Sequence, residues 1–443
     1  MLWDSIRDEA VGYLRDLLCL NTVNPPGNEI IACSYLANVL AREGIKSTIL
    51  ESAPTRANLV ARIKGDGRAA PLLMMVHVDV VPVERQRWTH DPFGGEIENG
   101  FLYGRGALDT KELAAMELAI MLLLKRNNVP LARDVIFMAN ADEEAGGILG
   151  AKWMVENHPD LIRAEYGINE GGGFGTNILG KRIYGIQTGE KGTARFSLRA
   201  HGKPGHASVP QRENAVLKLA RGLDKLGNAT FPTHVTATAR GYIEGLAKAV
   251  GGSAGSSLRG LLDQKNGARA FENLPIDEGL RGLLYAMLHN TATPTKLSAG
   301  SKINVIPSVA EAQVDARLVP GQTPETFLRE LRAVLDQEYE IEFHQPTMTG
   351  IEADPQSPLY DTIVRNLRRH DPEAVILPDL VVGATDARHV TKLGTKVYGF
   401  CPMFGEASEM ERVHGDDERI SLANVGFGTH VLYEVVSEFA SVG

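Results

Sequence analysis

Leu72-Leu73-Met74-Met75-Val76-His77-Val78-Asp79-Val80-Val81-Pro82 is the stretch on which the fold turns. An apolar run held between Pro71 and Pro82 reads as a strand buried on both faces, which places it in a parallel sheet. Side chains alternate along a strand, so His77 and Asp79 share one face. That face lies at or just past the strand's C-terminal end, where open α/β sheets build their sites. A metal-bound imidazole gives its second N–H to a carboxylate, and Asp79 is placed to be that partner. The competing reading is a hydrogen-bonded histidine at a strand end with no further role.

Working outward, the same arrangement recurs. Residues 134–139 form a second buried-strand pattern that runs into Asp142-Glu143-Glu144-Ala145-Gly146-Gly147. A third short strand, Tyr166-Gly167-Ile168-Asn169, runs into Glu170-Gly171-Gly172-Gly173. Between the first two, Gly104-Arg105-Gly106 leads to Asp109-Thr110-Lys111, ahead of a helix with Leu113, Met116, Ile120, Leu123 and Leu124 near helical spacing. Asp109 therefore stands at or just before a helix N-terminus, where helix capping is the alternative role. Upstream, helices over 1–20 and 29–43 and short strands over 47–50 and 58–63 precede the opening stretch. Strand and helix alternating over 58–190 imply an α/β fold, a mainly parallel sheet with helices on both faces.

The pattern changes at Gly189-Glu190-Lys191-Gly192. Phe196, Leu198 and Ala200 alternate with polar residues, and His201-Gly202-Lys203-Pro204-Gly205-His206 follows. A helix over 214–226, strands over 296–303 and 309–319, a helix over 323–337 and a strand over 340–344 complete the order β-α-β-β-α-β. This is a ferredoxin-like α+β module. Residues 191–346 are thus expected as a domain inserted into a catalytic domain of 1–190 and 347–443, with 231–295 an insertion within the small domain. The chain then continues with a helix over 359–368, a polar turn over 381–389, a strand over 396–400, a histidine loop over 412–418 and a last helix over 422–439.

Composition narrows the function. A chain of 443 residues, 43% hydrophobic and 23% charged, reads as a globular protein of two domains. Its net charge of -9, spread along the chain, argues against a nucleic-acid surface. Three cysteines, Cys19, Cys33 and Cys401, are odd in number and lack metal-like spacing, so they read as buried free thiols in a reducing compartment. The first helix is amphipathic and reads as neither a signal peptide nor a membrane span, so the cytoplasm is expected and no membrane association.

His77, Asp109, Glu144, Glu170 and His414 form a ligand set of nitrogen and oxygen without sulfur. Two histidines and three carboxylates suit two zinc ions, or cobalt or manganese. Five ligands for two ions imply that one carboxylate bridges, and bridged ions ~3.5–4 Å apart share a hydroxide. Glu143, one residue before a ligand, is free to act as a general base.

These elements meet a family. His77-Val78-Asp79-Val80-Val81-Pro82, Gly104-Arg105-Gly106 through Asp109-Thr110-Lys111, Asp142-Glu143-Glu144, Glu170, Gly205-His206 and His414-Gly415 stand in the order of the M20 metallopeptidases. The sequence resembles that group, which contains aminoacylase-1, carboxypeptidase G2, succinyl-diaminopimelate desuccinylase and acetylornithine deacetylase. The resemblance implies that Asp109 bridges two zincs, with His77 and Glu170 on one and Glu144 and His414 on the other. It makes Glu143 the base that activates the bridging water and later protonates the leaving amine, and Asp79 the partner of His77. It makes the inserted module a lid and dimerisation domain, with His206 reaching across a homodimer to stabilise the oxyanion in the partner's site. Asn304 and Arg317 resemble lid residues that grip the substrate, the arginine by two parallel hydrogen bonds to a carboxylate. Gly383 and Thr385 resemble the turn that lines the substrate pocket. The long segment 231–295 departs from the compact lid and is reminiscent of the carboxypeptidase S-like branch.

The expected activity is therefore hydrolysis of the amide bond of an N-acyl amino acid or small peptide with a free carboxylate. A dipeptidase or carboxypeptidase is the alternative within the family. A pseudoenzyme that binds amino-acid derivatives without turnover is a third reading, opposed by the intact ligand set and Glu143. Gly104-Arg105-Gly106 lacks the third glycine and the strand-to-helix setting of a dinucleotide fingerprint, which argues against an oxidoreductase.

Overall fold

In the computed structural model, residues 2–263, 270–271, 274 and 276–441 are described. The chain divides into two compact units. The first comprises Met1–Thr188, Ala353–Asp379 and Thr385–Gly443, and the second comprises Gly189–Glu352 and Leu380–Ala384.

Helix α1 (Trp3–Leu18) buries Ile6, Ala10, Leu14 and Leu17, one stripe at three- and four-residue spacing. Helix α2 (Ile30–Arg42) and the antiparallel pair β1 (Ser47–Ala53) and β2 (Arg56–Ile63) follow. Strand β3 (Leu72–His77) is buried at every position. Helix α3 (Lys111–Arg126) is buried from Lys111 through Leu124, so it is a core helix rather than a surface one. Strands β4 (Val135–Asn140) and β5 (Tyr166–Asn169) both run parallel to β3, with Leu72 opposite Val135 on one side and Tyr166 on the other. Strands β6 (Phe174–Ile178) and β7 (Lys181–Glu190) form a hairpin.

The second unit contains β8 (Phe196–His201), α4 (Ala215–Gly227), β9 (Thr291–Ala299), β10 (Val309–Leu318), α5 (Pro324–Val334) and β11 (Tyr339–Phe343). Its strands pair antiparallel in the order β9-β10-β8-β11. One face buries Phe196, Leu198, Ala312 and Val314 under Phe327 and Leu331 of α5. Helices Ala237–Val250, Gly252–Gly260 and Glu278–Leu288 lie between α4 and β9. The remainder of the expected 231–295 insertion, at 264–269, 272–273 and 275, lies outside the described residues. Strand β9 spans Thr291–Ala299 rather than 296–303. Pro294 makes its first half look like a turn. It is tolerated because the ladder to β10 slips between Pro294 and Lys296, and among the described residues β9 pairs on that side alone.

After these, α6 (Pro358–His370) leads to β12 (Val375–Val381), whose last two residues are counted with the second unit, then β13 (Lys396–Gly399), β14 (Met403–Phe404) and α7 (Leu422–Ser441). The sheet order is β1-β2-β4-β3-β5-β13-β7-β6-β14, with β12 paired to β7. Its centre, β4-β3-β5-β13, is parallel, and it is flanked by antiparallel strands. Parallel neighbours end on the same side of a sheet. The residues that follow β3, β4 and β5 are therefore delivered to one edge.

Candidate metal centre

That edge carries the chemistry. His77 closes β3 and is 2% exposed. Its Nε2 stands 3.0 Å from Asp109 Oδ1 and 3.6 Å from Glu170 Oε1, just past β5. His414, in the loop before the strand Arg419–Ser421, places Nε2 3.0 Å from Asp109 Oδ2 and 3.3 Å from Glu144 Oε1. Each oxygen of one carboxylate thus faces a different imidazole. The ligand atoms of His77, Asp109 and Glu170, and those of Asp109, Glu144 and His414, form two groups each within 4.8 Å. Asp109 does not cap α3: the N-cap residue is Thr110, which makes no side-chain cap bond. Glu144 Oε1 is buried and accepts no hydrogen bond despite its closeness to His414. A buried carboxylate oxygen without a donor is costly unless a cation satisfies it. Two imidazoles and three carboxylates are a donor set that zinc, cobalt or manganese accepts. The residues present fit two ions that share Asp109.

The region that resembles a known family extends well beyond this cluster. Residues 73–438 match the model of peptidase family M20/M25/M40. The chain belongs to this family. It is 30% identical over 376 residues to an N-fatty-acyl-amino acid synthase/hydrolase from Bos taurus, covering 81% of this chain and 72% of the relative. It is 30% identical over 396 residues to Probable carboxypeptidase S-like 2 from Dictyostelium discoideum, covering 83% and 71%. Among solved structures, an M20 family metallo-carboxypeptidase from Sulfolobus solfataricus superposes with a TM-score of 0.75 at 21% identity, over 98% of this chain and 100% of that one. The chain is accordingly an M20 peptidase or amidohydrolase, from a family whose members typically depend on a dinuclear metal centre.

In this M20 hydrolase Asp79 and several residues that sequence reasoning gave no role fix the cluster. The Asp79 carboxylate lies 3.4 Å from His77 Nδ1, but a shorter contact of 3.0 Å runs from that nitrogen to the Asp79 backbone oxygen. The same carboxylate accepts the backbone N–H of Glu143 at 3.1 Å and of Glu144 at 3.2 Å. Asp79 therefore joins the β3 edge to the β4 edge. Asp142 begins that second loop at φ +70°. This left-handed conformation is unfavourable for a residue with a side chain. It is held by Arg56 at 2.8 Å, Asn24 at 3.1 Å and the N–H of Leu149 at 3.0 Å. Gly147 allows the loop to close: a Cβ there would lie 2.2 Å from Asp386 Oδ1. Arg105 pairs with buried Glu418 and donates to the carbonyls of His414 and Gly415 at 3.2 and 2.9 Å. Glu418 also accepts from the N–H of Leu108 at 2.7 Å, so this pair ties the Asp109 and His414 loops together. Arg105 stood in a quoted motif. Arg56 and Glu418 carried no local signal.

Clustered carboxylates around two imidazoles set the electrostatics. Burial pushes Glu143 well above the usual carboxylate range, and the charge of Glu170 adds to it. Burial likewise raises Glu170 and lifts Asp386 to about 7. Burial favours a neutral His77 ring, but the Glu170 charge and the Asp109 hydrogen bond outweigh it and raise that ring well above its ordinary value. The hydrogen bond to Asp109 and the nearby Glu144 carboxylate raise His414 to about 10. The negative field that draws protons onto the imidazoles also draws metal cations, which displace those protons. Arg388 Nη2 stands 3.9 Å from Glu143 Oε1.

The remaining expected site residues are divided between the units. Thr385 belongs to the first unit, and its hydroxyl accepts from Asn169 at 3.0 Å, directly before Glu170. His206, Asn304, Arg317 and Gly383 belong to the second. His206 is exposed on the two-residue strand Gly205–His206, which pairs with Val305–Ile306. Its Nδ1 lies 2.7 Å from Ser208 Oγ, and the next N–H, of Ala207, donates to the Asn304 carbonyl at 3.0 Å. Arg317 on β10 gives its Nε and Nη2 to Asp315 at 2.7 and 3.3 Å, so a carboxylate already fills its fork. Among the described residues no helix is long and apolar enough to cross a membrane.

Proposed function

We propose that this chain is a dizinc hydrolase of N-acyl amino acids or small peptides that carry a free carboxylate. The observation that carries the reading is Asp109, whose two oxygens each lie 3.0 Å from a different imidazole. In this reading His77 and Glu170 would hold one ion, Glu144 and His414 the other, and Asp109 would serve both. When bound, the ions supply Lewis acidity for the scissile carbonyl and make water acidic enough to be used near neutral pH. Glu143 takes the proton of the attacking water on a carboxylate oxygen and returns it to the amide nitrogen as the bond breaks. Its burial suits this exchange, because burial lifts a carboxylate toward the pKa that a shuttle needs. Asp79 positions His77 and the Glu143 backbone.

His206 acts in the partner subunit of a homodimer as an oxyanion donor, and Asn304, Gly383 and Thr385 contact substrate. Arg317 exchanges Asp315 for the substrate carboxylate, a like-for-like replacement in its fork. The acyl-amino-acid preference is supported by the Bos taurus relative, named as an N-fatty-acyl-amino acid synthase/hydrolase. The Dictyostelium relative, named as carboxypeptidase S-like, favours a carboxypeptidase as the second reading. Cys33 and Cys401 are buried as expected while Cys19 is exposed at the end of α1, and the three free thiols support a cytoplasmic setting. Hydrolysis of a panel of N-acyl amino acids and dipeptides by the zinc-loaded protein tests the proposal. Glu143→Gln should retain the metals and lose ~10²–10⁴ in kcat. Normal turnover by that variant would remove Glu143 from the chemistry, and higher kcat/KM on peptides than on acyl amino acids would select the second reading.

A further inference from the structure

A second convergence of imidazole and carboxylate lies in the first unit on other elements. His370 is the last residue of α6, and His430 and Glu434 are four apart on α7. Spacing of four puts two side chains on one helix face, as in helical zinc sites. His370 Nε2 stands 2.9 Å from Glu434 Oε2, and His430 Nε2 stands 3.3 Å from Glu434 Oε1. The three ligand atoms lie within 4.8 Å of one another. A tetrahedral ion with nitrogen and oxygen ligands at about 2.0–2.2 Å keeps those ligands roughly 3.3 Å apart, so the observed spacings are close to the edges of such a shell.

The rings are held in place from behind. His430 stacks on Trp3 with centroids 3.5 Å apart, and His370 meets His430 edge-on at 4.4 Å and Phe427 at 6.1 Å. The basic residues nearby are engaged elsewhere: Arg365 and Arg369 pair with Glu438 at 2.6 and 2.9 Å. The C-terminal end of α6 also presents its negative dipole at His370.

We infer that His370, His430 and Glu434 bind one further divalent transition ion of the zinc class, with a fourth position open to water. The site joins the end of α6 to α7, and through the Trp3 stack it reaches α1. It shares no ligand with the Asp109 cluster and does not depend on the activity proposed above. Equilibrium dialysis of the full-length protein against zinc, with metal counted by mass spectrometry, tests it. The His370→Ala/His430→Ala double variant and Glu434→Gln should each hold one ion per chain fewer than the parent. Nickel should quench a tryptophan emission component that is lost in Trp3→Phe, and neither ligand variant should show that quenching. Equal metal content in the parent and both folded variants, judged folded by circular dichroism, would overturn the site. So would quenching by nickel that Glu434→Gln leaves unchanged, the outcome expected if nickel reaches Trp3 without this carboxylate.

Discussion

Replacing Arg56 by methionine tests how the metal edge is held. The Arg56 side chain is 10% exposed and contacts Glu29, which is fully buried, and Asp142, 7% exposed. It makes two bonds of 2.7 Å to Glu29 and one of 2.8 Å to Asp142. Removing one partner of a buried ion pair typically costs 3–5 kcal/mol, because the remaining charge is left desolvated. At roughly 2–3 °C per kcal/mol for a unit of this size, Tm should fall by about 6–15 °C in a calorimetric scan. The loss should also depend on pH. Burial already raises the Glu29 pKa, and loss of the guanidinium would raise it further. A raised folded-state pKa gives stability that is present below the unfolded value and is lost as pH rises through the folded one. The deficit of Arg56→Met should therefore be smaller at pH 5 than at pH 8. Because Asp142 opens the loop that carries the ligand Glu144 two residues on, the variant should also bind zinc more weakly. A Tm within about 2 °C of the parent, or a deficit independent of pH, would refute this reasoning.

Two further outcomes are expected. Mixing inactive His206→Ala with inactive Glu143→Gln should restore activity on subunit exchange, since one site of the heterodimer has both groups; exchange without activity would show that His206 does not act across an interface. Glu117 is buried in α3 with neither carboxylate oxygen hydrogen-bonded, and burial raises its pKa well above the usual range. Glu117→Met should raise stability by about 1–3 kcal/mol at pH 8, with a gain that shrinks toward pH 4, where the unfolded carboxylate is protonated too; denaturant titrations showing a constant gain would contradict that sign.

The parallel centre of the sheet was legible because unbroken apolar runs have few other uses in a globular chain. Leu72–His77 and Val135–Asn140 are such runs, and both are buried throughout. The acids after those runs stood out for the same reason, since they follow strands that end at one edge. Strand β12 was not legible: Pro378 and Asp379 interrupt its apolar pattern, and nearly all of it falls between the expected helix over 359–368 and polar turn over 381–389, where no element is expected. The supports of the metal edge were hidden differently. Arg56 meets Asp142 across 86 residues and Arg105 meets Glu418 across 313, and no periodicity or spacing connects such distant partners. Asp79 was legible as a partner of His77, but its bonds to the backbone of Glu143 and Glu144 depend on which strands become neighbours. The order β4-β3-β5 is fixed by packing, not by local sequence.

The claim that Asp109 is shared by two ions is tested most directly by anomalous diffraction from crystals of the zinc-loaded protein, recorded on both sides of the zinc edge. Two peaks are expected beside Asp109, one bonded to Oδ1, His77 and Glu170 and the other to Oδ2, Glu144 and His414. A single peak that takes both histidines, or no peak within bonding distance of Asp109 in crystals that bind zinc elsewhere, would contradict it.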